Sequence, residues 1–250
     1  MKSLLNIVCL IGLTVSLAYA QSTTKTLPSF DKVVVSPLIK IVLVSGNQET
    51  VRLEYENVAP EKVNCFVRDN TLRLYLDDAK IVVKQERVYD GENSNKRPIY
   101  GKDVKVTAYI TYRQLKELEV RGEEEAVCQS DITGDVFKLR VYGQATVTLA
   151  SLHVTDLRAH IYGENKVTIQ SGNADEQVYR VYGESQINAE NLVGKNVSTS
   201  LYGDSQLRLY ASNRLGVTAF GESNVNYTGG ASLQKGLVLG DVKIRKSKPE

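Results

Sequence analysis

The sequence predicts an all-β protein: a right-handed parallel β-helix, or solenoid, of about 20-residue coils that stands on an irregular β cap. A glycine-marked repeat, a period-two alternation of apolar residues, and the lack of any sustained 3.6-residue apolar period after the first twenty residues lead to that class.

The repeat carries the most weight. VRGEEEAV begins at Val120, VYGQATVTL at Val141, IYGENKVTI at Ile161, VYGESQINA at Val181, LYGDSQLRL at Leu201 and AFGESNVNY at Ala219. The glycines are Gly122, Gly143, Gly163, Gly183, Gly203 and Gly221, with successive gaps of 21, 20, 20, 20 and 18 residues. After each glycine, pairs such as Val147 and Leu149, Val167 and Ile169, or Leu207 and Leu209 share one face. Before it, Leu139 and Val141, or Leu157, Ala159 and Ile161, do the same. Each unit therefore reads as two short strands with a glycine corner between them. A unit this short cannot bury its apolar face alone, but stacking coil on coil makes continuous parallel sheets with strands about 4.8 Å apart. Parallel crossovers are overwhelmingly right-handed, which sets the expected hand. Without an amphipathic helical period there are no crossover helices to close an α/β barrel.

Residues 1–20 have the order of a secretory leader: Lys2, an apolar run from Leu4 to Leu17, and the small-residue site Ala18-Tyr19-Ala20. The chain is expected to be exported, to the periplasm, the outer cell surface or the medium, and to start at Gln21 after cleavage. No later stretch is apolar enough to span a bilayer, so no membrane span is expected. Removing the leader takes away Lys2 and no acid, turning 31 basic and 29 acidic residues into 30 and 29. Such a balance offers no bulk attraction to nucleic acid, and no nucleic-acid partner is expected. Residues 21–115 are assigned to the cap and 116–250 to the repeat. Within the cap, FDKVVV, IKIVLV, TVRLEYE, KVNCFVRDNTLRLYL and DVKVTAYITY read as strands, and the polar stretch Gln85–Lys102 as an exposed loop. Cys65 and Cys128 are either two thiols or one bridge; their spacing does not decide.

Stacking turns every repeat position into a column. The aromatic column is Tyr142, Tyr162, Tyr182, Tyr202 and Phe220, which alternation turns outward because the preceding Val141, Ile161, Val181, Leu201 and Ala219 point in. At strand spacing these rings stabilise one another whether or not they bind anything; they also form a candidate platform for sugars. Two residues earlier on the same face run Arg140, His160 and Arg180, with Lys138 and Arg158 beyond, a basic stripe suited to an acidic glycan. The candidate ligand-binding residues are thus the five aromatics with Arg140, Arg158, His160 and Arg180. Past the glycine, Glu123, Glu164, Glu184, Asp204 and Glu222 form an acidic column that supplies too few oxygens per coil for calcium, so solvated acids are expected and no metal or other cofactor. Ser185, Ser205 and Ser223, with Asn165 and Ala145, form an inward column able to bond the corner backbone.

An enzyme is not expected. The acids repeat along one column instead of converging as a glycosidase pair, and His153 and His160 have no motif-like acidic partner. There is no nucleophile elbow and no phosphate loop.

The run FDKVVV…IKIVLVSGNQETVRLEYE, then NTLRLYL, and LKELEVRGEEEAV leading into serial glycine coils, resembles the bacterial auto-transporter adhesin head GIN domain family over about Phe30 to Ile244. That resemblance implies an exported β-helical protein of Bacteroidetes type with an adhesive role at the cell envelope, and supplies no catalytic residues. The 250 residues leave no room for a translocating barrel, so the family name is not taken as a mechanism. The expected partner is a glycan or other cell-surface ligand, with a structural periplasmic scaffold as the alternative and a polysaccharide-acting enzyme as the reading disfavoured above. Self-association is plausible from the open edges of a solenoid.

Overall fold

The protein is described by a computed structural model covering residues 21–90 and 93–247; the expected leader, residues 1–20, lies outside the described residues. Parallel strands stack in register through the whole repeat. Glu117–Gly122 lies on Glu125–Gly143 so that Val120 meets Val141, and the same column continues through Ile161, Val181, Leu201 and Ala219. All six of these side chains are essentially without solvent exposure. Burying each such Val, Leu or Ile contributes about 1.5–3 kcal/mol, so the column is a principal source of stability. A second column, Ala126, Val147, Val167, Ile187, Leu207 and Val225, is buried along the strands that follow the corners.

The corners explain the glycines. Gly122, Gly143, Gly163, Gly183, Gly203 and Gly221 all have φ between 103° and 120°, where a side chain is strained. From Gly143 onward, a Cβ on any of them would also fall less than 3.0 Å from the carbonyl oxygen of the corner glycine in the coil before it. Those carbonyls are in use: Gly143 O accepts from Glu164 N at 2.8 Å, and Gly122 O from Gln144 N at 2.9 Å. The inward small-polar column completes the corner as expected. Ser185, Ser205 and Ser223 donate from Oγ to the carbonyls of Gly163, Gly183 and Gly203 at 2.9, 3.1 and 3.0 Å, and Asn165 Oδ1 accepts from Ala145 N at 2.9 Å.

Two expectations about the coils need correction. Most coils have three strand segments, not two: in Thr146–Gly163, residues pairing with Lys166–Ile169, with Gly172–Ala174 and with Glu176–Tyr182 follow one another. The middle segment is short and holds only Leu152 and Val154 inward, too few residues to show as a strand by alternation. That segment ends at Leu192–Val193, which pairs on one side only. In the next coil Ser212 and Asn213 donate directly to Gly194 O and Lys195 O, and this shortcut is the origin of the 18-residue gap between Gly203 and Gly221. The second correction concerns Gln85–Lys102. It contains an antiparallel hairpin, Gln85–Asp90 with Asn93–Pro98, exposed along its described side chains except the half-buried Val88. Its strands lack alternating apolar residues, so only the Asp90-Gly91 turn signal points to it.

The first part of the chain continues the stack downward before closing it. Lys32–Val35 lies parallel beneath Glu117–Gly122, and Ile39–Ser45 beneath Ala126–Cys128; Thr71–Leu76 and Lys105–Tyr112 lie parallel beneath those. Pairing then becomes antiparallel: Val63–Arg68 on Thr71–Leu76, Thr50–Glu56 on Lys105–Tyr112, and Gln21–Thr26 on Thr50–Glu56. At the far end, Ser232–Leu239 and Val242–Lys246 each pair with one strand only.

The core also holds a polar cluster that alternation does not announce. Tyr179 and Gln177 are buried; the Tyr179 hydroxyl donates to Gln177 Oε1 at 2.9 Å, and Gln177 Nε2 to the carbonyls of Ala174 and Leu192. Small neighbours in register, Ala159 and Thr199, leave room for the ring. Cys65 and Cys128 are free thiols; burial pushes Cys65 up to about 11 and raises Cys128 as well, so both are held in the protonated form.

The corner geometry makes a direct prediction. Gly163→Ala should cost about 2 kcal/mol or more in urea unfolding, because it meets both the φ strain and the carbonyl below. Gly216→Ala, where the nearest atom to a new Cβ is 3.8 Å away and φ is ordinary, should be close to neutral.

Candidate functional site

The aromatic column is a continuous ladder. Ring centroids of Tyr142, Tyr162, Tyr182, Tyr202 and Phe220 are 5.0, 4.9, 4.8 and 5.1 Å apart in turn, with planes within 4° of parallel. The spacing is the rise per coil, so strand pairing and ring stacking satisfy the same repeat. Tyr182 and Tyr202 are the most exposed members, at 37% and 39%. Stacked this way, the rings turn their faces toward one another and their edges and hydroxyl groups toward solvent. Hydrogen bonds donated by tyrosine hydroxyls among the described residues come from Tyr100, Tyr112 and Tyr179, so the ladder hydroxyls have no partner among those residues.

The basic stripe is in register as expected: Arg140 lies beside His160, His160 beside Arg180, and Arg180 beside Ser200. Its members are not equivalent. Arg140 is held by Glu117, with Glu119 at 3.8 Å, and Glu119 in turn pairs with Arg121 at 2.7 Å. Arg140 is therefore largely neutralised at the lower end of the stripe. Arg158 and Arg180 are exposed and make no ion pair among the described residues. His160 sits between them, and its pKa is lowered from 6.5 by burial first and then by Arg180, Arg140 and Arg158. The ring is accordingly a neutral donor and acceptor within a cationic strip at neutral pH.

The acidic column is exposed, and Gln144 breaks it by donating to Glu164 Oε2 at 3.2 Å. No cluster of three His, Cys, Asp or Glu residues able to hold a metal occurs among the described residues. His153 lies between two neutral groups, Ser151 Oγ at 2.9 Å and Asn173 Oδ1 at 2.7 Å, on the outer face. No helix among the described residues is long and apolar enough to cross a membrane.

Sequence reasoning missed the space at the lower end of the ladder. A cleft of about 870 Å³ lies there, with Tyr142 at its upper edge and the segment carrying Ile81, Val82 and Tyr100 as its outer wall. That segment lies outside the repeat, so no periodicity marks it.

Two measurements check this geometry. Tyr182→Ala removes two stacked contacts and should destabilise by about 1–3 kcal/mol, while Tyr182→Phe keeps the stack and should stay within about 0.5 kcal/mol of wild type. For His160 the unfolded chain binds the proton more readily than the folded one. The stability linked to its neutral ring is then complete above pH 6.5 and declines as pH falls through that value toward the lower folded pKa. His160→Gln should flatten that part of the stability-versus-pH curve, leaving carboxylate losses at lower pH.

A family model described as "Putative auto-transporter adhesin, head GIN domain" matches residues 29–231. Solved structures share the fold at low identity. A "putative adhesin" from Bacteroides fragilis superposes with a TM-score of 0.75 at 19% identity, covering 92% of this chain and 98% of that one. A "putative adhesin" from Parabacteroides merdae gives 0.67 at 16%, covering 92% and 97%. A "Putative lipid binding protein" from Parabacteroides distasonis gives 0.64 at 15%, covering 92% and 98%. A search of curated proteins finds no match. With the family model spanning most of the sequence and the glycine-cornered solenoid in place, the chain belongs to the auto-transporter adhesin, head GIN domain family.

Proposed function

We propose that this protein is an exported, non-enzymatic, adhesin-like binding protein of the cell envelope that presents the ladder face to an acidic glycan. The observation carrying this reading is the set of four regularly spaced tyrosine hydroxyls beside the guanidinium groups of Arg158 and Arg180, the hydroxyls without hydrogen-bond partners and the guanidiniums without ion pairs among the described residues. A polymer whose hydroxyl and carboxylate or sulfate groups repeat along its length meets a row of donors fixed by the coil rise, and guanidinium forks pair with its anionic groups. Because the ring faces are turned to each other, recognition runs through ring edges and hydroxyls, not through sugars laid flat on aromatic faces. Tyr142, Tyr162, Tyr182, Tyr202 and Phe220 form the platform; Arg158 and Arg180 supply charge; His160 adds a neutral hydrogen-bonding group; Arg140 anchors the lower end.

The absence of convergent acids on this face and the family's adhesin description both favour binding over catalysis. The alternative is a periplasmic scaffold in which the ladder serves only to hold coils together, as stacking energy by itself allows.

The replacement of Tyr162, Tyr182 and Tyr202 together by Phe separates the two. It keeps the stack but removes hydroxyls, and on an acidic-glycan panel it should weaken binding by about tenfold or more with little change in melting temperature. Arg158→Ala with Arg180→Ala should weaken it comparably and reduce its salt dependence. Full binding by both variants, or none by wild type, would leave only the scaffold. Protease shaving of intact cells tests export to the surface, which an adhesin requires.

A further inference from the structure

Ile81 and Val82 are adjacent β-branched residues that are 66% and 70% exposed, in a protein whose other branched side chains mostly point inward. Water contact at two neighbouring apolar side chains is unfavourable unless something covers them. They are also held in place. Lys84 Nζ pairs with Asp78 at 2.6 Å, Lys84 N donates to Asp78 O at 2.9 Å, and the Tyr100 hydroxyl donates to Asp77 O at 2.8 Å. The segment therefore stands as a fixed wall, and the lowest corners of the solenoid, Gly122, Gly143 and Gly163, line the same space. The cleft's volume of about 870 Å³ lies in the range of small-molecule sites. Pro37, Leu38 and Pro98 extend the apolar lining, and Tyr142 contributes a ring because the coil below places Arg121, not an aromatic, in register with it.

The charges around this space do not balance. Of the two lining cations, Arg121 is already paired with Glu119 at 2.7 Å, which leaves Lys102 against Glu123, Glu124 and Glu164. Glu124 is half-buried; its carboxylate accepts from Glu123 N at 3.0 Å and makes no ion pair among the described residues. Burial raises its pKa; backbone amide hydrogen bonds at Glu123, Leu38 and Glu124 offset part of the rise and the Glu123 charge adds to it, so the charged form has amide donors but no cationic partner among the described residues.

We infer that this cleft binds a small amphiphile with an apolar body and a protonated amine, the body against Ile81, Val82 and Tyr142 and the ammonium at Glu124. A neutral tail would cover the apolar wall but remove more water from an unpaired carboxylate, and an anion would add repulsion. A cation corrects both. The site shares only the Tyr142 ring with the glycan reading, and uses none of Tyr162, Tyr182, Tyr202, Arg158 and Arg180.

Isothermal titration of the full chain with decylammonium, 1-decanol and decyl sulfate, each below its micelle concentration, tests this. Decylammonium should saturate one site and bind about tenfold or more tighter than decanol, with decyl sulfate weakest. Ile81→Asn with Val82→Asn, both at exposed positions and so compatible with folding, should weaken all binding. Glu124→Gln should close the gap between ammonium and alcohol while keeping the tail's contribution. The inference is overturned by no saturable binding of decylammonium, by sulfate binding as tightly as ammonium, by unchanged binding in the Ile81/Val82 variant, or by an undiminished ammonium preference in Glu124→Gln.

Discussion

At every corner of the repeat from Gly143 onward the carbonyl oxygen of one glycine occupies the place where a side chain on the next would begin. This contact admits only glycine, and it leaves the chain a single way of passing from one coil to the next. The left-handed backbone at Gly143, Gly163, Gly183, Gly203 and Gly221 turns the strand, the carbonyl below accepts from the residue after the corner or from the inward serine, and register is thereby set for both flanking strands. A slip by one residue would put Tyr162 inside and Ile161 outside, a change that the buried column from Val120 to Ala219 opposes at every level. Register in turn makes the ladder: rings spaced 4.8–5.1 Å apart follow from corners that repeat once per coil.

The same stacking that stabilises the ladder limits how it can recognise anything. Interior rings give their faces to each other, so edges, hydroxyls and neighbouring cations are what a ligand meets. The basic stripe is likewise partly consumed within the protein, since Glu117 and Glu119 engage Arg140 at the lower end and leave the charge with Arg158 and Arg180. Where the ladder stops, the wall carrying Ile81 and Val82 replaces flat solenoid surface with an apolar concavity. The protein thus offers two chemically different surfaces on one edge, one polar and repetitive, one apolar and single.

Much of this was legible in the residues themselves. Equal glycine spacing implied stacking, alternation around it told inside from outside, and the aromatic, basic and small-polar columns fell where that alternation placed them. The parts that escaped share a physical reason: they are not repeated, or too short to show a period. Leu152 and Val154 form a third segment too brief to alternate visibly. Tyr179 and Gln177 are buried because they satisfy each other and Ala159 leaves space, a pairing invisible one residue at a time. The partners of Arg140 lie in the coil before the tyrosines begin, and the cleft draws its outer wall from the aperiodic stretch between Leu76 and Lys105, where the hairpin also sits.

In-register parallel stacking, one coil per rung, underlies all of these surfaces, and cysteine pairing tests it most directly. Lys166 and Gln186 are outward-facing and directly opposed, and Gln206 is the next residue in that row. In a background with Cys65 and Cys128 replaced by alanine, the pair Lys166→Cys with Gln186→Cys should oxidise to an intramolecular disulfide, since opposed Cα atoms about 4.8 Å apart fall within bridging range. Lys166→Cys with Gln206→Cys, two rungs or about 9.6 Å apart, should not. Ready bridging of the second pair and not the first would contradict the stacked-coil account.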